Sequence, residues 1–203
     1  MVLNNELCPP KVNILLKTLA LWFLALAGWK AKSDIEIHLL PKKFVAILAP
    51  HTSNWDLLFI MGVIFALGIK FNWFGKKEAF RWPLGGLFKR LGGIPIERST
   101  KKNMVQQTVE LIRSRERVIV GIAPEGTRSN TKYWKTGFYH IAHQAAAPVV
   151  FAFLDYGRKV GGLGPLMETT GDIEEDFKVI RGYYQGITAK YPECVGKVAI
   201  KPQ

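Results

Sequence analysis

The chain has 203 residues and carries 28 Lys and Arg against 16 Asp and Glu, a net charge of +12. Hydrophobic residues make up 48% and charged residues 22%, which excludes a disordered chain and allows one domain with a real core. Only Cys8 and Cys194 carry thiols, which excludes a disulfide framework or zinc knuckle, and the basic excess suits an anionic partner: nucleic acid, phosphorylated substrate or acidic lipid.

Residues 12–29, VNILLKTLALWFLALAGW, hold a single charge, Lys17. Crossing a bilayer takes about 17–25 apolar residues, so this run is at the short end, and Asn13 and Lys17 interrupt it. Lys11 and Lys17 on one side balance Lys30 and Lys32 on the other, so the asymmetry that orients a span is missing. A helix lying in the interface is expected, with Lys17 snorkelling and Trp22, Phe23 and Trp29 near the headgroups. A buried core helix is the alternative. Residues 1–33 are read as an N-terminal membrane-associating helical segment and 34–203 as one α/β domain.

Beyond it, short apolar runs alternate with helical patterns. IEIHL (35–39) alternates like an edge strand, and FVAILA (44–49) reads as a strand buried on both faces. Residues 55–67 are helical and almost wholly apolar, and FNWFG (71–75) is a strand candidate. Residues 79–91 form a helix broken by Pro83, Gly85 and Gly86. IPIE (94–97) is a short strand, followed by a helix at roughly 100–115. RVIVGIA (117–123) and PVVFAFLD (148–155) are further strands, with a helix over 134–145 between them. The last helix starts at Asp172 with Glu175 at capping-box spacing. Such alternation predicts an α/β fold: a largely parallel mixed sheet flanked by helices. Ligands in these folds bind beyond the carboxyl ends of strands, which singles out the loops after 49 and after 123.

The first of these loops reads His51-Thr52-Ser53-Asn54-Trp55-Asp56. With His51 in the loop and Asp56 in the first helical turn, the chain can curl the two together. Asp56 would fix the imidazole tautomer, leaving the other nitrogen to take a proton. Thr52, Ser53 and Asn54 are all suitable caps for that turn, and its backbone N–H groups are candidate oxyanion donors. No G-x-S-x-G elbow supplies a nucleophile, so the base would act on a substrate hydroxyl.

The second loop reads Pro124-Glu125-Gly126-Thr127-Arg128-Ser129. Arg128 offers a planar fork for phosphate oxygens. Glu125 would brace the loop or the arginine, or bind a substrate hydroxyl; a solvated surface pair is the bland alternative. Arg98, closing Gly92-Gly93-Ile94-Pro95-Ile96-Glu97-Arg98, is a second phosphate candidate or simply a strand-end charge. Lys135 and Gly137 stand where they could close the same pocket. His140 and His143, three apart, suit packing or solvation better than a metal, since no third ligand is near in sequence.

HTSNWD, GGIPIER, PEGTRS and APVV, in that order, resemble the four sequence blocks of the glycerophospholipid acyltransferase family, whose type members are 1-acylglycerol-3-phosphate (lysophosphatidic acid) acyltransferases. The resemblance spans roughly residues 45–152. It implies a membrane-associated enzyme on the cytoplasmic face, with acyl-CoA or acyl-carrier protein as donor and no metal or other cofactor. His51 would be the general base and Asp56 its partner; Arg98, Glu125, Gly126, Thr127 and Arg128 would bind the acceptor's phosphate and glycerol part. Two positions depart from the family pattern: Pro95 stands where an aromatic is common, and Phe151 where a second proline is common.

A lipid or thioester hydrolase could use the same His51–Asp56 pair with water. A basic lipid- or nucleic-acid-binding module fits the charge, but no RRM, KH, zinc-finger or helix-turn-helix signature is visible, so no nucleic-acid partner is expected.

Overall fold

The computed structural model describes residues 9–81, 83–96 and 101–201. A helix, α1 (Ile14–Ala27), opens it, capped by Asn13, whose side chain accepts from the Leu16 N–H, and closed by Gly28 in the left-handed region. Then follow β1 (Lys30–Ser33), β2 (Lys43–Leu48), α2 (Trp55–Ala66), β3 (Asn72–Lys76), α3 (Gly85–Arg90), β4 (Gly93–Ile96), α4 (Lys101–Ser114) and β5 (Val118–Ile122). The chain continues through α5 (Gly137–Ala145), β6 (Val149–Asp155), β7 (Val160–Met167) and α6 (Ile173–Tyr184).

The seven strands form one sheet in the order β1-β7-β6-β2-β5-β3-β4. Every neighbouring pair is parallel except β6 and β7. Period-2 alternation assigns the faces of the central strands. Phe44 and Ala46 of β2 join α1, α2 and the aromatic rings of Trp73, Phe80 and Phe88. Val45 and Ile47 point the other way, into a core shared with α5 and α6 through Phe138, Ile141, Phe177 and Ile180. With helices on both faces, β2, β5 and β6 are buried along almost their whole length, which is why they read as unbroken apolar runs.

Two expectations about the sheet are corrected. IEIHL does not form an edge strand; Ile37–Leu39 is a single 3-10 turn. The Ser33 hydroxyl donates to the Ile35 carbonyl at 2.6 Å and so bends the chain out of strand geometry just before this run. The edge strand is instead β1, from residues assigned to the N-terminal segment, which pairs with β7. His38, within this run, lies on that 3-10 turn beside Glu36. The helix expected over 134–145 starts at Gly137. The broken helix over 79–91 resolves into a 3-10 turn, Lys77–Phe80, and the short α3.

α6 begins at the expected place: the Asp172 carboxylate accepts from the N–H groups of Glu174 and Glu175. The reciprocal half of a capping box is replaced, as Glu175 pairs with Lys178.

Among the described residues, no helix is long and apolar enough to cross a membrane. α1 spans 14 residues, about 21 Å at 1.5 Å per residue. Its inner side buries Ala20 and Leu24, with the Phe23 ring 5.4 Å from Phe59 of α2. Its outer side exposes Ile14, Leu15, Leu19, Trp22 and Leu26, the last 84% open.

Candidate active site

β2 and β5 lie side by side and run in the same direction, so the loops after Leu48 and after Ile122 emerge together at one rim of the sheet. This brings the two motif loops into direct contact across 74 residues of sequence. Neither contact that joins them could be read from spacing within a loop.

The first contact is at Glu125. Its carboxyl group is buried and accepts the His51 backbone N–H with both oxygens, at 3.1 and 2.9 Å. Glu125 therefore ties the His51 loop to its own. Burial pushes its carboxyl up to about 8; the His51 N–H pulls it down, and the charge of Asp56 pushes it further up. Gly126 follows with φ +67°, a conformation natural to glycine, and a Cβ there would collide with the Lys135 side chain packed against it. The second contact runs from the Arg128 guanidinium to the Asn54 side-chain carbonyl. Asn54 thus bridges the two loops and makes no side-chain cap on α2.

The first helical turn is organised by Asp56. Its Oδ2 accepts from the N–H groups of Thr52 and Ser53, each at 2.7 Å, and lies 3.2 Å from His51 Nδ1. A carboxylate can only accept, so Nδ1 carries the proton and Nε2 is the nitrogen left for a substrate. Burial raises the Asp56 carboxyl, but hydrogen bonds from His51, Tyr156 and the Ser53 N–H outweigh it and hold the pKa below 3.8. Asp56 is 5% exposed at its side chain and His51 26%, so the carboxylate is sheltered while the ring meets the cleft.

Four of the five backbone N–H groups expected as oxyanion donors are engaged within the protein. Within the turn, the N–H of His51 goes to Glu125, those of Thr52 and Ser53 to Asp56, and that of Trp55 to the Ser53 hydroxyl at 3.2 Å. These four amides build the loop and are not spare for an oxyanion.

A cleft of about 180 Å³ opens beside His51, walled by Leu57, Ile60, Trp73, Phe74 and Leu154. Of the aromatic residues between the motifs, Trp73 and Phe74 line it, Phe88 packs edge-on to Trp73 at 5.8 Å, and Trp82 lies outside the described residues. Thr127 and Arg128 are exposed at the rim. Arg98 lies outside the described residues. His143 sits on the far helix layer, its Nδ1 3.0 Å from the Thr169 hydroxyl and its ring stacked on Tyr139. Among the described residues, no group of three or more His, Cys, Asp or Glu could hold a metal.

Sequence reading missed Tyr156 and Tyr191. The Tyr156 hydroxyl donates to Asp56 Oδ1 at 2.7 Å, and the Tyr191 N–H donates to the Thr52 hydroxyl at 3.2 Å. Both lie far from His51 and Asp56 in sequence; the only local signal was that Tyr156 directly follows β6, the strand beside β2.

A family model described as Acyltransferase matches residues 34–152. Among solved structures, the chain is similar to the crystal structure of the 1-acyl-sn-glycerophosphate (LPA) acyltransferase PlsC from Thermotoga maritima. The TM-score is 0.59 at 15% identity, over 85% of this chain and 77% of that one. No curated protein matches the chain.

Proposed function

Since the chain belongs to the acyltransferase family, we propose that it moves a fatty acyl group from an acyl thioester to the free hydroxyl of a lysophospholipid, 1-acylglycerol-3-phosphate giving phosphatidic acid. The observation that carries this is the joining of a sheltered His51–Asp56 pair to the Arg128 guanidinium through Asn54, at the carboxyl end of parallel strands. One rim thus holds an imidazole and a guanidinium.

The acceptor's phosphate binds Arg128, with Gly126 and Thr127 alongside and Arg98 as the further phosphate ligand. His51 Nε2 removes the hydroxyl proton as the oxygen attacks the thioester carbonyl. The tetrahedral intermediate collapses, the C–S bond breaks, and the imidazolium returns its proton to the leaving thiolate. Every step is served by proton transfer and positioning, so no metal or other cofactor is called for. Coenzyme A and acyl-carrier protein both present such a thioester.

Full-length protein in vesicles containing 1-acylglycerol-3-phosphate, given labelled acyl-CoA or acyl-carrier protein, is expected to form labelled phosphatidic acid only when the acceptor is present. Label accumulating as free fatty acid regardless of acceptor would replace this reading with a hydrolase. No labelled product with either donor would end it.

The same reading includes a membrane surface as partner. Trp55 and Leu58, at the start of α2 and just after the His51 loop, are exposed as well, and α2 packs against α1. We place this face on a bilayer, with the basic charge drawing the protein to the anionic cytoplasmic leaflet. Burying each large apolar side chain contributes about 1.5–3 kcal/mol. Trp22→Glu with Leu26→Glu is therefore expected to weaken binding to acidic vesicles by at least about tenfold, and added salt to weaken the wild type. Unchanged sedimentation with vesicles would remove α1 from the membrane contact.

A further inference from the structure

We propose that Tyr156 is a positioning residue for the His51–Asp56 pair, its hydroxyl fixing the plane of the Asp56 carboxylate and sharing its charge. This rests on His51 acting as the base. The two oxygens of Asp56 are unequally served. Oδ2 faces the Thr52 and Ser53 N–H groups and His51 Nδ1. Oδ1 receives the Tyr156 hydroxyl, at 2.7 Å, its one hydrogen-bond donor among the described residues. A carboxylate held from one oxygen can still swing about its terminal bond; a donor on the other oxygen removes that freedom.

The hydroxyl is delivered by a ring that is itself clamped. Trp29 meets it edge-on at 4.8 Å and Phe59 at 6.1 Å, the Lys190 ammonium lies 5.4 Å from its centroid, and its backbone N–H donates to the Thr188 carbonyl at 2.9 Å. Burial, then the bond to Asp56, raises the phenol well above its ordinary value, so it remains a proton donor at every pH the enzyme meets. The clamp comes from three separate parts of the chain: the link between α1 and β1, the body of α2 and the segment after α6. This is a built support, since a surface tyrosine meeting a carboxylate by chance would not be held from three sides.

The consequence is electrostatic as well as geometric. A hydroxyl donating to Oδ1 draws carboxylate charge away from the imidazole. Without it, Asp56 accepts more strongly from His51 and holds the imidazolium more tightly. The other charged or titratable groups facing the pair are Glu125 from the β5 loop, Arg128 through Asn54, and Lys190 and Tyr191 behind the Tyr156 ring. None of these is altered by removing one phenolic oxygen.

Tyr156→Phe keeps the ring and deletes the hydroxyl. It is expected to fold, to lower kcat about tenfold at neutral pH with KM changed less than twofold, and to move the acid limb of kcat/KM to higher pH. The His51 ring N–H proton, resonating downfield because it is bonded to a carboxylate, should move further downfield in proton NMR. That readout needs no turnover, so it tests the Tyr156 contact even if His51 proves not to be the base. Trp29→Phe, which loosens the clamp but keeps the hydroxyl, serves as the packing control and should leave the acid limb in place. A Tyr156→Phe variant with unchanged acid limb and unchanged His51 proton would overturn the proposal. So would equal displacement of both in Trp29→Phe.

Discussion

His51→Ala is expected to lower acyl transfer by about 100- to 10,000-fold while leaving the fold intact, because general base catalysis contributes on that scale. The fold survives for reasons visible in the loop. The variant keeps the backbone N–H that Glu125 holds, so the brace between the two motif loops is unaffected. Asp56 loses one neighbour but retains the Thr52 and Ser53 amides and the Tyr156 hydroxyl, so no buried charge is stranded. The ring itself is 26% exposed and lines the cleft. Thermal melts of variant and wild type should therefore coincide within a few degrees while labelled product disappears. Wild-type turnover in this variant would remove His51 from the chemistry and, with it, the proposed reaction path.

Most strands were legible because burial on both faces writes itself as an apolar run: FVAILA, RVIVGIA and PVVFAFLD all became central strands. β7 was not, since VGGLGPLM has neither alternation nor β-branched residues beyond Val160. It forms because β6 offers it an antiparallel partner, and its glycines admit close neighbours: a Cβ on Gly162 would run into the Lys32 carbonyl of β1. At the site, the residue types and the shared rim were legible from strand ends. The wiring was not. Glu125 to His51, Arg128 to Asn54 and Tyr156 to Asp56 join residues 74, 74 and 100 positions apart. Local spacing constrains only what one turn or one helix can bring together; these contacts follow from strand order, which the sequence expresses only through the whole sheet.

The strongest test of that wiring is Glu125, where glutamine and alanine should part ways. Its folded pKa of about 8 lies above its ordinary 4.5. Between those values the folded chain keeps a proton that the unfolded chain has released, so this group's contribution to stability is full below pH 4.5 and declines as pH rises to about 8. Asp56 has the opposite sign, its contribution being lost only as pH falls below 3.8, so the two windows do not overlap. Glutamine offers the His51 N–H a carbonyl oxygen and cannot titrate. Glu125→Gln should thus flatten the decline in urea-unfolding free energy between pH 5 and 8 while most activity remains. Alanine leaves that N–H without its acceptor, at a cost of about 1–3 kcal/mol, and frees the loop that aims the imidazole. A misplacement of about 1 Å at a reacting group can cost a hundredfold, so Glu125→Ala is expected to lose about that much activity. An unchanged slope in the glutamine variant would assign the alkaline loss of stability to other groups. Full activity in the alanine variant would mean that the His51 loop holds its shape without the brace, and that the conjunction of the two motifs serves the substrate alone.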